Sequence, residues 1–361
     1  MSVTRHRHVA MIIVRLMGVL FITLPATMAQ RNQPNPATQA NICILDSDGT
    51  AHITRIVPVP ETISLEAQKF ISRPAPSGPE PSLAERRTRT DSFRKGRAEE
   101  ARKLYPVNIE GKTIGGVRCD VITPLTKSPE KQNRVLINVH GGGFVSDSGS
   151  LVEGIPIANL TGTPVVSVYY RLAPEYPFPA AVDDTVAVYK ELLKNSKPQD
   201  MGLFGTSAGA VLTAEVAVRL RRDGLPEPAA LGIFSGTGDL SQPGDSEALY
   251  TIWGFGGWLE PQSKKAKHDA YVGLSNPKDP LLSPLYADQR GFPPTLFITS
   301  TRDLLLSGTT LLHRAFLRTG VDTQLVVFEA LPHAFWYDYH LPETKEALEM
   351  MAKFFDQKLG R

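Results

Sequence analysis

The sequence has few of the features that identify cofactor-dependent or nucleic-acid-binding proteins. Its 361 residues include two cysteines, with no Cys/His spacing of the zinc-binding type and no Walker or dinucleotide-binding glycine pattern after a strand. The formal net charge is +2, from 39 Lys and Arg against 37 Asp and Glu, so there is no basic excess to bind a phosphate backbone. We therefore expect no metal, no organic cofactor and no nucleic-acid partner.

The low cysteine content leaves the disulfide state open. Cys43 lies in the N-terminal region and Cys119 lies in a strand-like run. Spacing alone does not fix the distance between two cysteines, so a bridge and two free thiols are both compatible with the sequence.

Long apolar runs are absent except near the N-terminus, where residues 1–29 resemble a secretory signal. Basic residues come first, an apolar segment follows over residues 16–24, and small residues precede a cleavage position at Ala29. The apolar run is shorter than the roughly 20 residues that span a bilayer. We expect cleavage near Ala29, a periplasmic or secreted protein, and no stable membrane span in the mature form. An uncleaved anchor is the alternative.

After about residue 113, strand-like runs alternate with segments of helical periodicity. Strands are predicted over residues 117–123, 135–139, 165–169, 201–204, 231–234, 296–299 and 324–328. Helices are predicted over residues 180–195, 208–223, 307–319 and 343–359. This alternation is typical of a mostly parallel sheet with helices on both faces.

Two segments depart from the alternating pattern. Residues 30–112 are Pro-rich and then charged, and the arginines over residues 82–103 alternate with acidic residues, which we interpret as a solvated helix face. Residues 240–288 form an irregular insertion rich in aromatic residues, and such insertions are often lids. The predicted division is a signal (1–29), an N-terminal extension (30–112) and an α/β domain (113–361) that carries this insertion.

Residues 205–209 read Gly-Thr-Ser-Ala-Gly between a predicted strand and a predicted helix. Strand, tight turn and helix form the geometry of a nucleophile elbow, in which the Ser207 hydroxyl stands at a helix N-terminus. Gly205 and Gly209 would let the two backbones approach closely. A buried serine in a glycine-rich turn is the alternative interpretation.

A second glycine motif follows the strand at residues 135–139, where His140 precedes three glycines and Phe144. Successive glycines let bare backbone N–H groups face an anion. Upstream of a nucleophile elbow, this pattern predicts an oxyanion hole formed by the N–H groups of Gly141, Gly142 and Ala208. A plain glycine turn is the alternative.

A serine nucleophile needs a base, and of the eight histidines only His333 and His340 lie in the loop after the last predicted strand. His333 is closer to the strand end and is the predicted base. Asp303 follows the strand at residues 296–299, on the sheet edge where α/β proteins place functional residues, and is predicted to orient His333. The alternative carboxylates are Asp279, Asp322 and Asp338.

Together these motifs resemble the bacterial hormone-sensitive-lipase-like esterases of the α/β-hydrolase superfamily. The resemblance is carried by residues 140–144, 170–175, 177–181, 183–184, 205–209, 279–284, Asp303 and His333. Many relatives have Asp before the nucleophile, whereas this chain has Thr206 and resembles the GTSAG subgroup. The resemblance implies an α/β-hydrolase fold with an eight-stranded sheet and a helical cap, the cap coming from the region after about residue 60 and from residues 240–288.

The implied function is hydrolysis of a small-molecule carboxylic ester through an acyl-enzyme on Ser207, without a cofactor. A non-catalytic small-molecule binder on the same fold and an amidase are the alternatives. Aromatic rings near these motifs predict a narrow substrate pocket and short acyl chains. The predicted pocket residues are Phe144, Trp253, Trp258 and Trp336. The strand at residues 324–328 would lie at a sheet edge, so a homodimer paired there is one hypothesis and a monomer the other.

Overall fold

The computed structural model describes residues 42–54, 56–73, 81–126, 129–250 and 269–360, and these form two units that divide between Pro58 and Val59. The first unit contains an antiparallel hairpin of β1 (Ile42–Leu45) and β2 (Ala51–Thr54). Its Cys43 is exposed and has a free thiol. The predicted signal, residues 1–29, lies outside the described residues.

The second unit is organised around an eight-stranded sheet. Its strands are β3 (Val107–Ile114), β4 (Val117–Pro124), β5 (Val135–Val139), β6 (Val165–Val168), β7 (Met201–Thr206), β8 (Ala230–Phe234), β9 (Thr295–Ser300) and β10 (Thr323–Phe328). The order across the sheet is β3-β4-β6-β5-β7-β8-β9-β10. β4 runs antiparallel to β3 and β6, and the pairs from β6 to β10 are parallel. The predicted fold class is thereby confirmed.

Helices cover both faces of this sheet. They are α1 (Leu65–Ile71), α2 (Leu83–Leu104), α3 (Gly154–Thr161), α4 (Ala180–Leu192), α5 (Ala208–Arg222), α6 (Asp245–Tyr250), α7 (Asp269–Val272), α8 (Leu306–Arg318) and α9 (Pro342–Lys358). One apolar cluster holds α4, α5 and α8, and the other holds α1, α2, α3 and α9. Every residue of β5 and β7 is buried, because a parallel strand covered on both faces has no polar side.

The sequence did not predict β3 or α3. β3 is the first edge strand and is largely exposed, so it lacks the apolar run of a central strand. α3 contains Ile155, Pro156 and Ile157, which have low helix propensity, but proline is tolerated in the first turn and both isoleucines are fully buried. The predicted boundary at residues 112/113 falls inside β3, and the division into domains stays a prediction.

Three further observations bear on the sequence predictions. Cys119 is buried with a free thiol, and burial raises its pKa to about 12. β10 ends the sheet, beside β9, so it offers the edge that homodimerisation would use, and that pairing stays a prediction. Within the described part of the chain, no helix combines the length and apolar character needed to cross a membrane.

Candidate active site

Ser207 is the single residue between the end of β7 and the start of α5. Its backbone has φ 60° and ψ −121°, a conformation that non-glycine residues rarely adopt. The Ser207 N–H donates to the carbonyl oxygen of Phe234 at 2.9 Å, which ties the turn to β8. Ser207 thus has the sharp strand-to-helix geometry predicted from the pentapeptide.

The two glycines of the pentapeptide are required by close packing. A Cβ on Gly205 or on Gly209 would overlap the carbonyl oxygen of Val139 at the end of β5. Glycine has no Cβ, so α5 can approach β5 closely at both positions. Any other residue there would push the helix and the strand apart.

The glycine loop after β5 lies against the same turn. A Cβ on Gly141 would be 2.9 Å from the carbonyl oxygen of Thr206 and 3.3 Å from Ser207 Cβ. Gly142 has φ +116°, and a Cβ there would overlap the carbonyl oxygen of Ser146. Ala208 is the first residue of α5, so its N–H has no acceptor within the helix. The structure brings Gly141 and Ala208 next to Ser207, and their role as oxyanion donors stays a prediction.

His140, the first residue of the glycine loop, is part of its support. Its side chain is buried and its ring stacks on Tyr170 with centroids 4.1 Å apart. The Tyr170 hydroxyl donates to the His140 carbonyl oxygen at 2.6 Å, and His140 Nδ1 lies 2.8 Å from the carbonyl oxygen of Gly141. These contacts fix the entry to the loop.

Asp303 and His333 are joined by a 2.8 Å hydrogen bond between His333 Nδ1 and Asp303 Oδ1. Asp303 follows β9 and His333 follows β10, and these strands are parallel neighbours. The C-terminal ends of adjacent parallel strands share one edge, which is why residues separated by 30 positions meet.

The Asp303 carboxylate is fully buried and receives several hydrogen bonds. Its Oδ2 accepts from the hydroxyls of Ser235 and Thr299, the latter at 2.8 Å, and its Oδ1 also accepts from the Leu305 N–H at 2.9 Å. Burial alone raises the pKa of Asp303. The charge of a protonated His333 and these hydrogen bonds outweigh it and hold the pKa below its ordinary 3.8.

This arrangement defines the chemistry open to His333. An ionised Asp303 is acceptor-only, so His333 Nδ1 must carry the proton that it donates, and Nε2 of the neutral ring is then the basic nitrogen. Ser235 and Thr299 were missed in the sequence, where their only signal is a hydroxyl residue at or just beyond a strand end.

The rival residues lie elsewhere. The His340 side chain is 71% exposed and its Nδ1 lies 3.0 Å from Asp338. Asp322 pairs with Lys358 at 2.6 Å, and Asp279 accepts from a backbone N–H in its own turn. Of the four candidate carboxylates, Asp303 is the one bonded to His333.

The predicted pocket residues divide between packed rings and residues outside the described ranges. Phe144 is buried and stacks on Tyr271 with centroids 3.5 Å apart. Trp336 is buried, and its indole N–H donates to the Thr206 hydroxyl oxygen at 3.1 Å. Trp253 and Trp258 lie outside the described residues. The assignment of these four side chains to a substrate pocket stays a prediction.

The interpretation of the 82–103 arginines as a solvated helix face is wrong for three of them. Arg87 donates to the carbonyl oxygen of Val145, just after the glycine loop, at 2.8 Å. Arg94 and Arg97 form ion pairs with carboxylates of the loops after β5 and β10. Positions 87, 94 and 97 fall on one side of a helix, and this spacing is the feature of the sequence that could have indicated a shared contact face. α2 is therefore bound to two loops that border the site.

Comparison with known proteins agrees with this geometry. Residues 136–337 match a family described as having the alpha/beta hydrolase fold. An acetyl-hydrolase from Streptomyces hygroscopicus is 31% identical over 255 residues, which cover 69% of this chain and 82% of that protein.

Solved structures give the same assignment. One crystal structure of an esterase superposes with TM-score 0.75 and 33% identity, covering 85% of this chain and 98% of the other. Another, of an esterase from the bacterial hormone-sensitive lipase family, has TM-score 0.65 and 31% identity, covering 77% and 97%. The chain therefore belongs to the α/β-hydrolase family, as a carboxylic-ester hydrolase of the bacterial hormone-sensitive-lipase-like group.

Proposed function

We propose that this esterase acts through a triad of Ser207, His333 and Asp303. The Ser207 hydroxyl oxygen attacks the ester carbonyl carbon while His333 Nε2 takes the hydroxyl proton, and the same proton then passes to the departing alcohol. Water attacks the resulting acyl-enzyme in the same way, which releases the carboxylic acid and restores the serine. Asp303 keeps the imidazole in the required tautomer throughout.

The observation that carries this proposal is the buried hydrogen bond between Asp303 and His333, on the same sheet edge as the Ser207 turn. Burial of an ionised carboxylate costs folding free energy, because it removes the charge from water. A fully buried Asp303 bonded to His333 is therefore better explained by a catalytic role than by a structural one. Its four hydrogen bonds hold it ionised, which is the state that a triad acid needs.

The negative charge that develops on the carbonyl oxygen needs preorganised donors. We assign this role to the N–H groups of Gly141, Gly142 and Ala208, and donors of this kind contribute about 10²–10³ each in rate. The closeness of Gly141 to Ser207, where an added Cβ would come within 3.3 Å of Ser207 Cβ, and the position of Ala208 at a helix N-terminus support the assignment.

We propose that the enzyme prefers short acyl chains, of about two to six carbons, because each buried methylene gains only about 0.8 kcal/mol and the gain ends where the pocket ends. The name of the acetyl-hydrolase relative supports this, since acetyl is a short acyl group. Rates on p-nitrophenyl esters from acetate to palmitate test it. An optimum at a long chain such as laurate would contradict it, and Trp253→Ala or Trp258→Ala should move the optimum to longer chains if either ring closes the pocket.

An amidase uses the same triad, and the competing substrates distinguish the two activities directly. We expect p-nitrophenyl acetate to be hydrolysed far faster than p-nitroacetanilide, since an amine is the poorer leaving group. Active-site titration with a fluorophosphonate counts the reactive serines, and a folded protein that gave no labelled Ser207 would instead be a binder.

We also propose that the protein is exported and that its mature form begins near Gln30. N-terminal sequencing of the protein from the periplasmic or extracellular fraction tests this location. Full-length chain recovered in the membrane fraction would instead support an anchor.

A further inference from the structure

Glu153 is a buried acidic residue that the proposed reaction does not use. It lies immediately before α3 and is 3% exposed. Its Oε1 accepts a hydrogen bond from the Tyr337 hydroxyl, and its Oε2 accepts one from Asn138 Nδ2 at 3.1 Å. The Thr206 hydroxyl lies near this carboxyl and favours its ionised form. Acidic side chains are almost never fully buried without partners of this kind.

The three partners of Glu153 come from the three segments that carry the proposed chemistry. Asn138 lies in β5, just ahead of the glycine loop. Thr206 directly precedes Ser207, and its hydroxyl oxygen accepts from the Trp336 indole N–H. Tyr337 follows His333 in the loop after β10. One carboxyl group therefore lies against the strand that leads into the glycine loop, against the Ser207 turn and against the loop that carries His333.

The surrounding backbone leaves room for this contact. A Cβ on Gly149 would overlap the Tyr337 hydroxyl and lie 2.8 Å from Glu153 Oε1. Any side chain at Gly149 would therefore push apart the carboxyl and the phenol, which makes the pair a specific feature of this loop rather than a filled gap.

We propose that Glu153 is a positioning residue that holds these three segments in their catalytic register, and that its ionised form does so best. The inference rests on the proposed function, because it assumes that Ser207 and His333 perform the chemistry. A carboxylate accepts from Tyr337 and Asn138 at once, whereas a carboxylic acid carries an O–H of its own that needs an acceptor among these neighbours. Protonation of Glu153 thus either breaks one of these contacts or forces a neighbouring hydroxyl to turn from donor to acceptor.

The surroundings of Glu153 place its protonation near neutral pH. Burial raises the pKa of Glu153 to about 7, and the nearby charge of Asp147 adds to the rise, while the polar groups of Tyr337, Thr206 and Asn138 act in the opposite direction. The titratable groups that face Glu153 are Tyr337 and Tyr339 after β10, Tyr170 after β6, and Asp147 in the loop after β5. Asp147 is itself approached by the side chains of Arg94 and His140. Burial keeps the pKa of each of these tyrosines well above 10, so they stay neutral.

The test compares pH profiles of kcat for p-nitrophenyl acetate, followed by pH-stat between pH 5 and 9. In the wild-type enzyme we expect a partial step in kcat near pH 7 that depends on Glu153. Glu153→Gln fixes the side chain in a neutral form, so kcat on the alkaline side should fall about tenfold with KM nearly unchanged, and the step should disappear.

Tyr337→Phe is the second variant, and it keeps the carboxyl group. It removes a hydrogen bond that favours the ionised form, so the pKa of Glu153 rises and the step should move to higher pH. A merely structural role predicts no such shift. Glu227→Gln is the matched control: Glu227 is a partly buried carboxylate that pairs with Arg221 at 3.0 Å, and its variant should retain the wild-type profile.

Two outcomes would overturn the assignment. One is a Glu153→Gln enzyme with the wild-type step, and the other is a Tyr337→Phe enzyme whose step stays in place. Fluorophosphonate labelling of wild-type Ser207 distinguishes a failure of the Glu153 assignment from a failure of the proposed function. Absence of labelling refutes the triad, while normal labelling with unchanged profiles refutes only the role of Glu153.

Discussion

Replacing Ser207 with alanine is expected to lower kcat for p-nitrophenyl acetate by about 10³–10⁶, because the covalent intermediate can no longer form. His333→Ala should cause a loss in the same range, since the serine then has no base. The two losses should not add in the double variant, because serine and histidine act as one unit. Initial rates at saturating substrate give kcat for each variant.

The matched control for the histidine is His340→Ala. His340 lies in the same loop but its side chain is mostly exposed and pairs with Asp338, so its removal should leave kcat near the wild-type value. Circular dichroism and thermal melts should show that all of these variants fold. If His333→Ala kept near-wild-type activity while His340→Ala lost it, the base would have been assigned to the wrong residue.

Asp303→Asn is expected to lower kcat by about 10³–10⁴ with little change in KM, on the precedent of triads in which the acid is replaced by its amide. The carboxylate of Asp303 accepts from four donors. An amide nitrogen in place of Oδ1 faces the Leu305 N–H, which cannot accept, and one in place of Oδ2 makes the Ser235 and Thr299 hydroxyls turn to accept. If that nitrogen faces His333, the ring moves its proton to Nε2 and loses its basic site towards Ser207.

The same substitution should change the pH dependence of stability. The folded pKa of Asp303 is depressed, so the contribution of its ionised form to stability is present above pH 3.8 and is lost as pH falls through the folded pKa. Urea denaturation of wild type and Asp303→Asn between pH 3 and 7 measures this. Asp322→Asn, at an exposed pair with Lys358, is the control and should alter both kcat and stability little. Wild-type kcat in Asp303→Asn would remove Asp303 from the triad.

The parts of the site that the sequence could predict are those encoded by local pattern. The Ser207 turn, the glycine loop and the strand ends before Asp303 and His333 each follow from a short run of residues with its own geometry. The central strands were predicted closely for the same reason, since a doubly covered strand such as β5 is a continuous apolar run.

The parts that could not be predicted depend on contacts between distant segments. Nothing near Glu153 in the sequence indicates that Tyr337 donates to it, and Ser235 reaches Asp303 only because β8 and β9 are neighbours in the sheet. Arg87 shows the reverse case. The alternating charges around Arg87 predict an exposed helix face, but its side chain donates to the Val145 carbonyl oxygen. Charge alternation identifies a helix surface and carries no information about which loop packs against it.

The β9–α8–β10 unit has a consequence for how this enzyme can change its substrate range. Asp303 and His333 both belong to that unit, and 30 positions separate them, so assembling the acid–base pair requires closure of a short span that is mostly helix and strand. The insertion at residues 240–288 precedes β9 and lies outside this span. The insertion contacts the span at Ser246, whose Oγ donates to the carbonyl oxygen of Leu304 at 2.7 Å. Changes in the insertion that keep this contact leave the acid–base pair intact, so the predicted pocket residues Trp253 and Trp258 can vary separately from the proton-transfer chemistry.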